Sequence, residues 1–75
     1  NAKCQVVGYT DSQGSLTTNM RLGQERADFA KAYLMQNGIP DNRIATDSKG
    51  PKDPIASNST DEGRAKNRRT VITIK

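Results

Sequence analysis

The chain has 75 residues, 32% of them hydrophobic and 27% charged, a balance that permits one small core and excludes both a multidomain protein and a fully disordered one. Twelve Lys and Arg against eight Asp and Glu leave a net charge of +4, which suits an anionic partner such as nucleic acid, acidic lipid or wall polymer. One cysteine and no histidine exclude an internal disulfide and a Cys/His zinc site, so the usual staples of a small domain are missing.

In chain order, Cys4, Val6 and Val7 form a β-prone run closed by Gly8, which predicts a short strand. Tyr9 to Ser15 is a turn by composition. From Met20 to Gln36, Gly23, Ala27, Ala30 and Leu34 recur at helical spacing, with Leu22 and Tyr33 beside them. This pattern predicts an amphipathic helix with a narrow stripe of small residues. Asn19 is placed to cap it, and Gly38, between Asn37 and Pro40, supplies the left-handed residue that stops it. Phe29 and Tyr33 are assigned to the packing of this helix.

Arg43 to Thr46 predicts a second strand, with Ile44 on one face and Arg43 and Ala45 on the other. Asp47 to Thr60 reads as a loop, because Gly50, Pro51, Pro54, Ser57, Asn58 and Ser59 break any periodicity. Thr60, followed by Asp61 and Glu62, opens a short helix with a hydroxyl cap and carboxylates at the positive end of the dipole. Thr70 to Lys75 alternates around Val71, Ile72 and Ile74 and predicts a terminal strand with one face buried. The order describes a two-layer α/β sandwich, a small sheet covered by one main helix plus a short helix, as a single domain over 1–75. One substantial helix underfills such a sheet, so something is expected to pack against it. No apolar run approaches the roughly 20 residues that span a bilayer, and no charged-then-apolar leader opens the sequence.

Catalysis finds little support. Cys4 lies inside a predicted strand with no histidine to activate it, which fits a small core residue, and no carboxylate pair has the spacing of a general acid and base. Gly8 to Gly14 follows a strand and precedes a helix as phosphate loops do, but lacks the lysine and the glycine spacing. The expectation is a non-enzymatic chain with no cofactor and no metal. Asp11 in the turn and Arg26 in the helix stand out. Arg26 projects at the border of the buried stripe and needs an acceptor there. The two charges either form a salt bridge tying turn to helix or converge at the edge of one pocket.

The segments GYTDSQGS at 8–15, NMRLGQERA at 19–27, YLMQNGI at 33–39, RI at 43–44, PIASN at 54–58 and EGRAKNRR at 62–69 resemble, in order, the motifs of the OmpA-like C-terminal domain. The resemblance implies a mixed sheet, non-covalent binding of peptidoglycan through the diaminopimelate of its stem peptide, and a periplasmic, outer-membrane-associated setting in a Gram-negative bacterium. By position, Asp11 and Arg26 match the family's ligand-binding pair. A carboxylate for the ammonium and a guanidinium fork for the carboxylate complement a zwitterionic end. Thr10, Asn19 and Leu22 match positions that line or shape the pocket, with a helix cap as the other reading of Asn19. Arg68 and Arg69 match the basic pair before the last strand, Arg69 as a ligand-binding residue and Arg68, like Arg64, with a structural alternative.

Two departures stand against the family pattern. Gly23 replaces the usual serine, removing a hydroxyl at a cost of about 1 kcal/mol of helix propensity relative to alanine. The resemblance implies an opening strand and helix that have no counterpart in this sequence, so a partial domain is expected. An unpaired sheet edge is then expected, satisfied by a domain-swapped or edge-paired homodimer or by a separate chain carrying the absent unit. The readings from other classes are a basic nucleic-acid-binding module and a purely structural assembly fragment. The first is disfavoured because the aromatics are only Tyr9, Phe29 and Tyr33, with the last two assigned to packing.

Overall fold

The computed structural model describes residues 3–74. Its elements are β1 (Cys4–Tyr9), α1 (Leu16–Gln36), a 3-10 turn (Asp41–Arg43), β2 (Ile44–Gly50), α2 (Asp61–Asn67) and β3 (Thr70–Ile74). The strands form one mixed sheet in the order β2-β1-β3. β1 runs parallel to β2, with Cys4 opposite Ile44, and antiparallel to β3, with Val6 opposite Ile72. The fold is the two-layer α/β arrangement expected.

β1 is the central strand, hydrogen-bonded on both edges, and Cys4, Val6 and Tyr9 are buried along it. Ala27 and Ile44 complete the buried core, and Ala30, Leu34 and Ile39 pack against it. The helix reaches the sheet closely through two glycines. A Cβ at Gly8 would run into the Gly23 carbonyl, and one at Gly23 would collide with the Ser48 hydroxyl and stand 2.8 Å from the Gly8 carbonyl oxygen. The serine usual at position 23 therefore has no room here, and glycine fits the contact it makes.

α1 begins a turn earlier than its periodicity predicts, and its cap is Ser15, not Asn19. The Ser15 hydroxyl accepts from the Thr18 N–H at 3.1 Å. The extra turn escaped the pattern because it buries no apolar side chain; Leu16 is exposed. At the other end the expected stop holds. Gly38 has φ +95, and the N–H of Ile39 reaches the Leu34 carbonyl at 3.1 Å.

β2 extends to Gly50, through residues expected to be loop. Asp47, Ser48 and Lys49 have poor strand propensity, but the partner strand supplies a parallel ladder that overrides it. Ile44, Ser48 and Gly50 are buried at alternate positions, so the period was present but written in small and polar residues. Arg43 stands in the 3-10 turn just before the strand.

β3 corrects the expectation of a half-buried terminal strand: every residue from Thr70 to Ile74 is exposed. α1 lies over β1 and β2, leaving β3 beyond its cover. Phe29 and Tyr33 were assigned to packing, yet they are 80% and 62% exposed. Opposite residues of an antiparallel pair share a face, so Ile72 lies on the helix side with buried Val6, and Ile74 with Cys4. Phe29 on α1 and Ile72 and Ile74 on β3 are thus left as exposed apolar side chains.

The loop from Pro51 to Ser59 has no regular structure but is organised by fully buried Asn67. Its Oδ1 accepts from the N–H groups of Ile55 (2.8 Å) and Ala56 (3.0 Å), and its Nδ2 donates to the Ala56 carbonyl and to Asn58 Oδ1. Thr60 caps α2 as expected, its hydroxyl accepting from the Gly63 N–H at 2.9 Å.

Candidate ligand-binding site

The turn after β1 is held open in a fixed shape by its own side chains. Thr10 is buried; its hydroxyl donates to the Asp11 carbonyl at 2.9 Å and its N–H to the Gly50 carbonyl at 2.7 Å. Asn19, also buried, sits one turn into α1 and donates from Nδ2 to the Gln13 carbonyl at 2.8 Å. That bond ties the turn to the helix. A polar residue that pins a loop from inside a helix leaves the same sequence mark as a cap, which is why the two readings were inseparable.

Asp11 is only 8% exposed. One carboxylate oxygen accepts from the Gln13 N–H at 2.9 Å and the other from Arg68 Nη1 at 2.7 Å. The Gln13 N–H is the largest cause holding its pKa below the ordinary carboxylate value, aided by Arg68 and Arg64 and opposed by burial. Asp11 is therefore an anion at neutral pH, and its resident counter-ion is Arg68. The salt bridge between Asp11 and Arg26 allowed by the sequence is not formed.

Arg26 borders the buried stripe as expected, and its Nε is buried without a hydrogen-bond partner. Leaving a buried donor unsatisfied costs about 1–3 kcal/mol, more when the group is charged, so the position favours an incoming acceptor. Arg26 lines a surface hollow of about 390 Å³ with Leu22, Glu25, Phe29 and Thr70. Arg68, which holds Asp11, and Thr70, which lines this hollow, are two residues apart at the start of β3, about 7 Å of extended chain. Asp11 itself does not line the hollow; the chain from Arg68 to Thr70 links the two.

Arg69 is spent on structure at the rim. Its guanidinium lies 3.7 Å from the centre of the buried Tyr9 ring and donates to the Asp53 carbonyl at 2.9 Å. Arg64 donates to the Asn58 carbonyl and pairs with Asp61. The sequence placed Arg68 in the basic pair before the last strand, with a structural role as the alternative, but not as the partner of Asp11; which arginine turns to Asp11 depends on the end of α2. Among the described residues no group of three or more Cys, His, Asp or Glu could hold a metal. No helix among them is long and apolar enough to cross a membrane.

The OmpA family model matches residues 1–68. The chain is 54% identical over 69 residues to the probable lipoprotein YiaD of Escherichia coli, spanning 92% of this chain and 32% of that protein. It is 45% identical over 74 residues to the peptidoglycan-binding protein ArfA of Mycobacterium tuberculosis, spanning 99% of this chain and 23% of that one. The crystal structure of the peptidoglycan-associated lipoprotein of Burkholderia pseudomallei superposes with a TM-score of 0.93 at 28% identity, over 99% of this chain and 63% of the other. The chain thus spans about a third or less of the length of these two curated relatives. With a matching family model over nearly its whole length and a matching fold, the chain belongs to the OmpA family.

Proposed function

We propose that the chain binds peptidoglycan non-covalently, without catalysing a reaction, through the diaminopimelate of the stem peptide. Asp11 takes the ammonium of one zwitterionic end and Arg26 its carboxylate. Thr10 and Asn19 fix the turn that presents Asp11, Leu22 lines the hollow beside Arg26, and Arg69 props the rim through Tyr9. In a whole protein this attachment would anchor an outer-membrane-associated, periplasmic component to the cell wall, in keeping with relatives named as peptidoglycan-associated and peptidoglycan-binding.

The observations that carry the reading are a buried, ionised carboxylate held by Arg68 and a guanidinium whose Nε lacks an acceptor, lining a hollow with Thr70, two residues on from Arg68. Opposite charges held on a rigid frame recognise a zwitterion by charge-assisted bonds at each end. Co-sedimentation with purified diaminopimelate-type peptidoglycan tests it. Wild-type chain should pellet, and Asp11→Ala and Arg26→Ala should stay in the supernatant with unchanged helical content. Pelleting of both variants at the wild-type level would reject the assignment.

A further inference from the structure

We propose that Arg68 is an exchangeable counter-ion, displaced from Asp11 by the ligand's ammonium and then turned to the ligand's carboxylate, so that it sets the site's selectivity for a zwitterion. The inference rests on the assignment of Asp11 to the ammonium given above.

Three arginines crowd the end of α2, and only one is free to move. Arg64 is held by the Asn58 carbonyl and by Asp61, and Arg69 by the Tyr9 ring and two backbone carbonyls. Among the described residues, the Arg68 side chain has a single hydrogen bond, to Asp11 Oδ2 at 2.7 Å, and it is 41% exposed. Its backbone is pinned at the helix end, where its N–H reaches the Arg64 carbonyl at 3.1 Å. The side chain can therefore swing while its root stays in place.

The Asp11 side chain, 12% exposed, has one oxygen on the Gln13 N–H and the other on Arg68. An ammonium arriving alone must displace Arg68 and leave that guanidinium, four residues on from Arg64, without an anion. A carboxylate arriving alone finds Arg68 already neutralised. An amino-acid end, with both charges on one carbon, exchanges ion pairs without stranding any: its ammonium takes Arg68's place and its carboxylate receives Arg68 together with the unsatisfied Arg26. Penalising every partner that leaves a charge unpaired is how a site gains specificity beyond its affinity.

The test is calorimetric titration of wild-type chain, Arg68→Gln and Arg68→Lys with diaminopimelate, with cadaverine, which keeps the two ammonium groups, and with pimelate, which keeps the two carboxylates. Wild type should bind diaminopimelate at least about tenfold more tightly than either analogue. Arg68→Gln should weaken diaminopimelate and tighten cadaverine, collapsing that ratio, and Arg68→Lys should restore the exclusion of cadaverine because it restores the charge. Should Arg68→Gln lose the wild-type NMR fingerprint, the lysine variant decides: exclusion of cadaverine retained with weaker diaminopimelate supports the exchange, and unchanged binding of both overturns it. A folded Arg68→Gln with the wild-type ratio would overturn the exchange while leaving the Asp11 and Arg26 assignment intact. Absence of wild-type binding to all three compounds would remove both.

Discussion

Arg68 Nη1 donates to Asp11 Oδ2 at 2.7 Å, joining the turn after β1 to the end of α2 across 57 positions of the chain. The contact defines the ligand-free charge state of the site and has a consequence in acid. The pKa of Asp11 is depressed, by the Gln13 N–H first, so its folded-state value lies below its unfolded one. Its stabilisation is then complete above about pH 4 and is lost as pH falls through the depressed folded value. Urea unfolding of wild type and Asp11→Asn should show the largest gap at neutral pH and convergence in acid. A gap that stays constant to about pH 2 would show that the charge is not what stabilises.

Asn67 is the polar centre of the C-terminal half. Asn67→Ala strands the N–H groups of Ile55 and Ala56 and should cost about 2–4 kcal/mol, read from urea unfolding, with amide exchange rising first over 55–58. A loss below about 0.5 kcal/mol would mean that water takes over the role of the side chain.

Gly8 and Gly14 separate crowding from conformation. Gly8→Ala forces α1 away from β1 and should cost about 3 kcal/mol or more, whereas Gly14, with φ +86 and open space around its Cβ position, should cost only about 1 kcal/mol on change to alanine. Equal losses in thermal unfolding would contradict the close helix-to-sheet contact.

Exposed Phe29, Ile72 and Ile74 predict self-association of the isolated chain at micromolar concentration, since exposed apolar side chains and unpaired strands recruit partners. Sedimentation velocity should show wild type shifted above the monomer. Phe29→Ser with Ile74→Lys should return it to the monomer while changing stability by less than about 1 kcal/mol, the side chains being mostly exposed. A monomeric wild type would discard this expectation.

Much of the fold was legible in the sequence. The stripe Gly23, Ala27, Ala30 and Leu34 packs on the sheet, Gly38 ends α1 and Thr60 caps α2, because each acts through local chemistry. What escaped depends on distant partners. Asp47 to Gly50 become strand only because β1 lies beside them, and Val71, Ile72 and Ile74 alternate as a buried strand does but have no layer over them. The site divides in the same way: Asp11 in the turn and Arg26 at the border of the buried stripe stand out in the sequence, and of the two only Arg26 is left with an unsatisfied group. The choice of Arg68 as counter-ion was hidden because it is settled by the direction in which α2 ends.

The most direct test of the central claim is an NMR titration of the ¹⁵N-labelled chain with diaminopimelate, read residue by residue. Binding at the proposed site predicts saturable shifts at Asp11, Gln13, Arg26 and Thr70, absent from Asp11→Ala. Saturable shifts confined to the Ile72 to Ile74 end of β3, or none at millimolar ligand, would contradict it.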